Sequence, residues 1–399
     1  MPQPIRRVAL IYDATKAYDV GVMAGVAAYL HASTRWSVYV EESALKDQRL
    51  PDLERWPGSG IIANLDDARV YAAVAKSKLP VVGFGSGYGS YAPKSRIPYF
   101  LTDNEMIARI AADHLWKRGS RNFAFCGYSH TPINGWAKER EIAFRARLAE
   151  RNCSVFTYSD PRGKRLPWTQ LREALIAWLL SLPKPIGLMA ANDNRARQVL
   201  EACQECGLRV PGEVAVIGVD NDAVLCQLSS PLLTSIEQGA KRIGFEAAAL
   251  LNKMMQGEKV DRNRRLVEPE GLVMRLSTTP TPDKDPHVAK AMSFIQMHAC
   301  DGIKVSDVVD AVGVSRSGLD VRFKVSMART IRSAIRGTQL ERAKILLTES
   351  SFAPKDIAAR TGFKSVQHLN TLFRLAFGAP PGEYRRKFVP SLICNGSQS

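Results

Sequence analysis

Ten short strand-like runs separated by helix-like segments fill the first 275 residues, and then strands stop. The runs lie at 8–12, 37–40, 60–63, 81–84, 98–101, 122–126, 154–158, 187–190, 214–219 and 234–236. Most are unbroken apolar stretches rich in Val, Ile and Phe, which suits strands covered on both faces, as in parallel sheets. Between them, 20–31, 105–118, 138–150 and 195–206 carry apolar residues at helical spacing. Ten such strands are about twice what one doubly wound sheet uses. Two α/β lobes with a cleft between them are therefore expected, with any ligand at the C-terminal ends of the strands.

The pattern breaks at 277–286, where three prolines among Ser, Thr, Asp and Lys read as a linker. The expected divisions are a domain over 1–276, the linker 277–286, an all-helical domain over 287–390 and a frayed tail over 391–399. Inside the helical domain, a pair of stretches look alike. One runs from Asp307 through Gly313 to Leu319 and Phe323; the other runs from Asp356 through Gly362 to Leu369 and Phe373. In both, an acidic residue precedes a glycine by six positions, and a Leu and a Phe follow four apart. Each reads as an apolar helix, a glycine turn and a second helix with one polar face, the helix-turn-helix pattern. A long helix over 331–349, with Ile331, Ile335, Ala343, Leu346 and Leu347 inward, would bridge the two.

Charge supports a polyanionic partner for this end. The chain carries a net charge of +16. Residues 285–399 hold 17 Lys and Arg against 9 Asp and Glu, while the first 284 residues hold 38 against 30. The rear is more than twice as basic per residue, as contacts to double-stranded DNA phosphates require. Ser315 is a suitable N-cap for the second helix of the first unit. Arg316, Ser317 and Arg322 can then project from the first unit, away from Leu319 and Phe323. Lys364, Ser365, Gln367, His368, Asn370 and Thr371 occupy the corresponding face of the second. Arg, Gln and Asn are the side chains that bond G and A edges in the major groove.

Residues 287–390 resemble the DNA-binding domain of the arabinose-regulator (AraC/XylS) family. The run from Phe373 through Gly378 and Pro381 to Tyr384 and Arg385 carries that family's ending. The resemblance implies two recognition helices in successive major grooves. Ala328 departs from it, standing where the family usually has Gly. The front resembles the sugar-binding core of periplasmic binding proteins and lactose/galactose-type repressors. Four stretches carry the match: Trp136 to Phe144 with Arg140, Ala191-Asn192-Asp193-Asn194, Val216 to Asn221 with Asp220, and Leu233 to Gln238. The fold class that follows is an α/β two-lobe periplasmic-binding-protein-like domain followed by an all-α domain with two helix-turn-helix units.

Asp, Asn and Arg suit a sugar because hydroxyls both donate and accept, and an aromatic ring covers the apolar sugar face. Tyr18, Asp19, Trp136, Arg140, Asn192, Asp193, Asp220 and Gln238 are the expected ligand contacts. Asp103-Asn104 is read as a helix cap. The pairing of a repressor-type front with an arabinose-regulator-type rear resembles the sugar-responsive regulators of bacterial xylose operons. That resemblance implies D-xylose as effector, a homodimer formed through the front domain, and activation with RNA polymerase at a promoter. The alternatives are a regulator of another aldopentose, or a sugar-binding transport component.

Other features point away from catalysis, metal and membrane. No apolar run approaches the ~18 residues of a membrane helix, and the run after Arg6-Arg7 is too short for a signal peptide. Seven scattered cysteines fit a reducing cytoplasm. Cys203 and Cys206 form a CxxC inside an expected helix rather than at its start, with no second pair for zinc. Gly83, Gly85 and Gly87 lack a dinucleotide fingerprint and read as a loop at the cleft mouth. No nucleophile and base occur as a set, so no catalytic residue, metal or cofactor is expected.

Overall fold

In the computed structural model the described residues are 5–33, 36–40, 52–85, 97–129, 134–160, 167–279, 285–327, 329–349 and 352–388. The chain divides into a front domain, Met1–Thr279, and a rear domain, Pro280–Ser399.

The front domain holds two six-stranded sheets. The first comprises β1 (Arg6–Ile11), β2 (Trp36–Val40), β3 (Gly60–Asn64), β4 (Val81–Gly85), β5 (Tyr99–Thr102) and β11 (Arg264–Val267), in the spatial order β11-β5-β4-β3-β1-β2. The second comprises β6 (Asn122–Cys126), β7 (Val155–Tyr158), β8 (Ile186–Ala190), β9 (Val214–Val219), β10 (Thr234–Glu237) and β12 (Gly271–Val273), in the order β12-β10-β9-β8-β6-β7. All pairings are parallel except β10 with β12. The central strands β3, β4, β8 and β9 are buried at every residue, which explains their unbroken apolar sequence. Strand order reverses beside β1 in one sheet and beside β6 in the other. Those switch points open a crevice at the C-terminal strand ends.

All ten expected strands form. The two not foreseen, β11 and β12, are edge strands. Only Val267 of β11 is buried, and β12 has three half-buried residues. β11 has only Leu266 and Val267 after two arginines, whereas β12 lies in the short apolar run 271–274 that is not among the ten expected strands.

The helices Ala17–Ser33 and Ala240–Met255 cross closely on one face of the first sheet. A Cβ on Gly25 would lie 2.0 Å from the carbonyl oxygen of Lys241, and one on Gly244 would lie 1.8 Å from that of Val22. Glycine at both positions lets backbone meet backbone. The Gly83–Gly87 run is not a loop from its start. Gly83 and Gly85 belong to β4, where a Cβ on Gly85 would collide with the Tyr99 hydroxyl and Asp66; Gly87 lies outside the described residues.

The expected linker begins too early. Ser277 and Thr278 are buried. The Ser277 hydroxyl donates to the Val216 carbonyl at 2.7 Å and accepts from the Thr234 amide at 2.8 Å. Small hydroxyl residues look like linker by composition, yet here they satisfy backbone groups of the second lobe. Asp285 already caps the helix Pro286–His298, which leaves 280–284, outside the described residues.

The rear domain is helical throughout its described residues. The first helix-turn-helix pairs Val305–Val312 with Arg316–Met327, and the second pairs Pro354–Arg360 with Val366–Phe377. Gly313 and Gly362 take positive φ of 83° and 73°, the left-handed turn that glycine tolerates. The bridging helix spans Ile331–Glu349 and buries Ile331, Ile335, Ala343 and Leu347; Leu346 packs from the edge.

Candidate functional site

Arg140 organises the cleft. It lies on the first turns of the helix Gly135–Ala149 and is completely buried. Its Nε donates to Asn104 Oδ1 at 2.9 Å, Nη1 to the Ala191 carbonyl at 2.6 Å, and Nη2 to Gln238 Oε1 at 2.8 Å. Three of its five N–H groups are committed by these bonds. Its guanidinium lies 4.7 Å from the centre of the Trp136 ring, a cation–π contact across one helical turn. Gln238 passes the network on by donating its Nε2 to Asp220 Oδ1. Asp220 holds a backbone φ of 115°, sparsely populated for a non-glycine residue. Burial pushes its carboxyl up to about 6, opposed chiefly by Arg140.

Lys16, Ala17, Tyr18, Trp136, Arg140, Asn192, Asn194, Asp220 and Gln238 surround a cavity of about 50 Å3. The volume is enough for several water-sized groups, the scale of a small polar molecule. Tyr18 is on its wall, but its hydroxyl is engaged with the Gly85 carbonyl at 2.7 Å. Asn192 caps the helix Asp193–Glu205 and also accepts from the Tyr128 hydroxyl at 2.8 Å.

Asp19 sits one layer behind and is fully buried. Its Oδ2 accepts from the Asp13 amide at 2.8 Å and from Asn64 at 2.7 Å, while Oδ1 has no partner. Burial pushes this carboxyl up to about 7, against the attraction of Lys16. Asp19 is not among the residues that line the cavity, and its orphaned acceptor carries a desolvation cost that a donor brought to it would relieve.

Asp193, an expected contact, is behind the cavity wall. Its Oδ1 accepts from the Ser235 hydroxyl at 2.6 Å and its Oδ2 from the Asp222 amide at 2.8 Å. Gly218 is glycine for this reason, since a Cβ there would lie 2.1 Å from Asp193 Oδ1. Asp193 therefore holds the loops after β8 and β9 together. Asp103 caps its helix through the Met106 amide, but Asn104 faces Arg140 instead. Lys16, Asn194, Tyr128 and Asn104 are not among the expected contacts, Asn194 standing only within the 191–194 stretch and Asn104 only as a helix cap, although each lies just past a strand end.

In the rear domain Ser315 accepts from the Gly318 amide at 3.3 Å and Ser365 from the His368 amide at 3.2 Å, so both cap second helices. Arg316, Ser317, Lys364, Gln367, Asn370 and Thr371 are exposed, and His368 is half-buried against Phe363. Arg322 departs from the expected face. It bonds Asp285 Oδ2 at 2.7 Å, and that guanidinium holds the Asp285 carboxyl below the usual carboxylate range. It pins the second helix to the cap of the helix Pro286–His298. Ala328 lies outside the described residues. A groove of about 890 Å3 is lined by Lys304, Arg316, Arg332, Arg336 and Lys364 among others. Five cations against Asp301 suit a phosphate backbone.

Among the described residues no group of His, Cys, Asp or Glu is placed to hold a metal ion, and no helix is long and apolar enough to cross a membrane. Cys203 is buried in the helix interior, with burial pushing its thiol up to about 12.

Comparison with known proteins covers both domains. Family models match at residues 7–105 (XylR N-terminal domain), 112–278 (periplasmic binding protein-like domain) and 308–387 (helix-turn-helix domain). The xylose operon regulatory protein of Escherichia coli K12 is 37% identical over 383 residues, covering 95% of this chain and 96% of that protein. Its Haemophilus influenzae counterpart is 33% identical over 386 residues, covering 96% and 99%. A solved xylose-binding transcription activator, XylR, superposes with a TM-score of 0.63 at 36% identity, covering 97% of this chain and 99% of that one. Cleft, paired helix-turn-helix units and full-length similarity agree: the chain belongs to the xylose operon regulatory protein family.

Proposed function

We propose that this chain is a xylose-responsive activator of transcription rather than an enzyme, and that the Arg140 cleft is where the sugar binds. The observation that carries the reading is the similarity of both domains at once to xylose operon regulators. In this reading Lys16, Arg140, Asn192, Asp220 and Gln238 bond hydroxyls. Trp136 and Tyr18 cover the apolar sugar face, and Asp19 accepts through its orphan oxygen. The chain works as a homodimer through its front domain, in the cytoplasm, together with RNA polymerase at its promoter.

The helix Asn104–Lys117 offers a mechanical link. Its first residue bonds Arg140. Near its other end His114 Nε2 pairs with the Thr278 hydroxyl at 3.0 Å, and Arg118 donates to the Thr279 hydroxyl at 3.1 Å. A helix of this length spans ~20 Å. Closure of the cleft around Arg140 thus reaches the last residues before the rear domain along a rigid rod. The shift in DNA affinity is bounded by the differential affinity of the sugar for the two states, ~1–3 kcal/mol or about 5–150-fold. Gel-shift titration with an operator duplex should show tightening of that size on adding xylose. A sugar that binds by calorimetry and leaves DNA affinity unchanged would refute the coupling. A thermal-shift panel of aldopentoses separates xylose from the runner-up effectors.

Binding should release protons. Asp19 and Asp220 are raised to about 7 and about 6 by burial. Sugar hydroxyls donated to these carboxylates favour the ionised form and lower both pKa values. Affinity is then expected to rise with pH between about 5 and 8. In the free chain these raised carboxyls contribute stability that is full below about pH 4 and is lost as pH climbs through their folded values. Calorimetry near pH 6.5 in buffers of different ionisation enthalpy measures the release. Zero exchange there would remove both carboxylates from the sugar site.

A further inference from the structure

The outward stripes of the two recognition helices differ in polarity at one position, Val321 in the first against Thr371 in the second, while Val325 is matched by the comparably exposed Leu375. On the helix Arg316–Met327 the buried residues are Leu319 and Phe323. Opposite them, Ser317, Val321, Lys324 and Val325 follow at helical spacing. Val321 is 65% exposed and Val325 is 81% exposed. The same positions of the helix Val366–Phe377, counted from Leu369 and Phe373, carry Gln367, Thr371, Arg374 and Leu375. The position of Val321 is thus Thr371 in the second unit. Of the two arginines on this helix, Arg322, the nearer to Val321, donates to Asp285. Arg316 leans toward Asp320 at 3.8 Å.

Resting on the DNA-binding reading above, we propose that Val321, with Val325 one turn beyond it, selects thymine by its 5-methyl group in the major groove facing the first helix-turn-helix. Valine can neither donate nor accept a hydrogen bond. Of the groups that bases present in the major groove, only the thymine methyl is apolar. The occupant is DNA rather than a protein because the stripe is framed by Lys324 and stands on the more basic end of the chain. It also lies on the helix that a helix-turn-helix presents to the groove. The two units then read by different chemistry: the first by methyl contact, the second by hydrogen bonds from Gln367 and Asn370.

The test uses the full chain with saturating xylose and a duplex enriched from a random library. Each thymine of the enriched site is replaced singly by deoxyuridine, which removes only the methyl, and affinity is followed by fluorescence anisotropy. At one or two thymines of one half-site the loss should be about four-fold, the equivalent of one buried methyl. Val321→Ala should weaken the thymine duplex comparably and erase the deoxyuridine effect at that position. Val321→Thr, which keeps one methyl at this exposed site, should retain some of it. Wild-type affinity indifferent to every deoxyuridine substitution, or an enriched half-site without thymine, overturns the proposal while leaving DNA binding intact. Failure to enrich any duplex overturns the DNA-binding reading itself.

Discussion

Arg140→Ala is expected to abolish xylose binding and to destabilise the front domain by about 3–5 kcal/mol, the range for removing one partner from a buried charged network. The side chain is fully buried, and three acceptors depend on it: Asn104 Oδ1, the Ala191 carbonyl and Gln238 Oε1. Each buried acceptor left unbonded costs about 1–3 kcal/mol, some of which entering water would recover. Arg140 is also the main influence that keeps the Asp220 carboxyl from rising further. Without it the Asp220 carboxyl rises further, which weakens it as a charged acceptor. Because the Ala variant strains the fold, Arg140→Lys is the companion. Lysine keeps the charge and loses the planar fork that holds three acceptors at once, so this variant should stay folded and still fail to respond to sugar. Urea denaturation and calorimetry give the two readouts. Sugar affinity within ten-fold of wild type in either variant would move the site away from Arg140.

Phe373→Ala should eliminate DNA binding and leave xylose binding untouched. Phe373 is fully buried at the centre of the second helix-turn-helix. Its ring lies 4.5 Å from that of Phe377 and 5.3 Å from that of Tyr384, the latter edge-on. Tyr384 belongs to the closing helix Pro381–Phe388, which Arg385 ties to the Leu347 and Phe352 carbonyls at 3.1 and 2.7 Å. Emptying a buried Phe site costs about 3–5 kcal/mol. The rear domain's second core is small, built around Leu340, Leu347, Ile357, Leu369 and Phe373, so a loss of that size unseats the recognition helix. Gel shift should show no specific complex, while the thermal shift with xylose persists because the front domain has its own cores. Operator affinity within a few-fold of wild type would show that the reading face does not depend on this packing.

Much of the architecture was legible in the residues. Continuous Val and Ile runs mark β3, β4, β8 and β9 because strands covered on both faces cannot alternate with polar residues. The paired glycines Gly313 and Gly362 mark the turns because few other residues accept positive φ. The edge strands β11 and β12 were not legible, since an edge needs only one or two buried side chains. Within the cleft, Arg140, Asn192, Asp220 and Gln238 could be named from sequence, whereas Asn104 and Lys16 could not. Asn104 sits beside a true helix cap and looks like a piece of it. Asp193 and Arg322 mislead in the opposite sense: Asp193 is buried with both oxygens bonded behind the wall, and Arg322, though half exposed, gives one N–H to Asp285.

By itself the sequence determined periodicity, turns, charge distribution and the types of side chain brought to each half, because these depend on local backbone preference and composition. Only the tertiary structure decided which polar groups face the cavity and which are consumed behind it. A hydrogen-bond partner such as Gln238 for Arg140, or Asp285 for Arg322, comes from tens of residues away, and its direction is set by packing that no local pattern records.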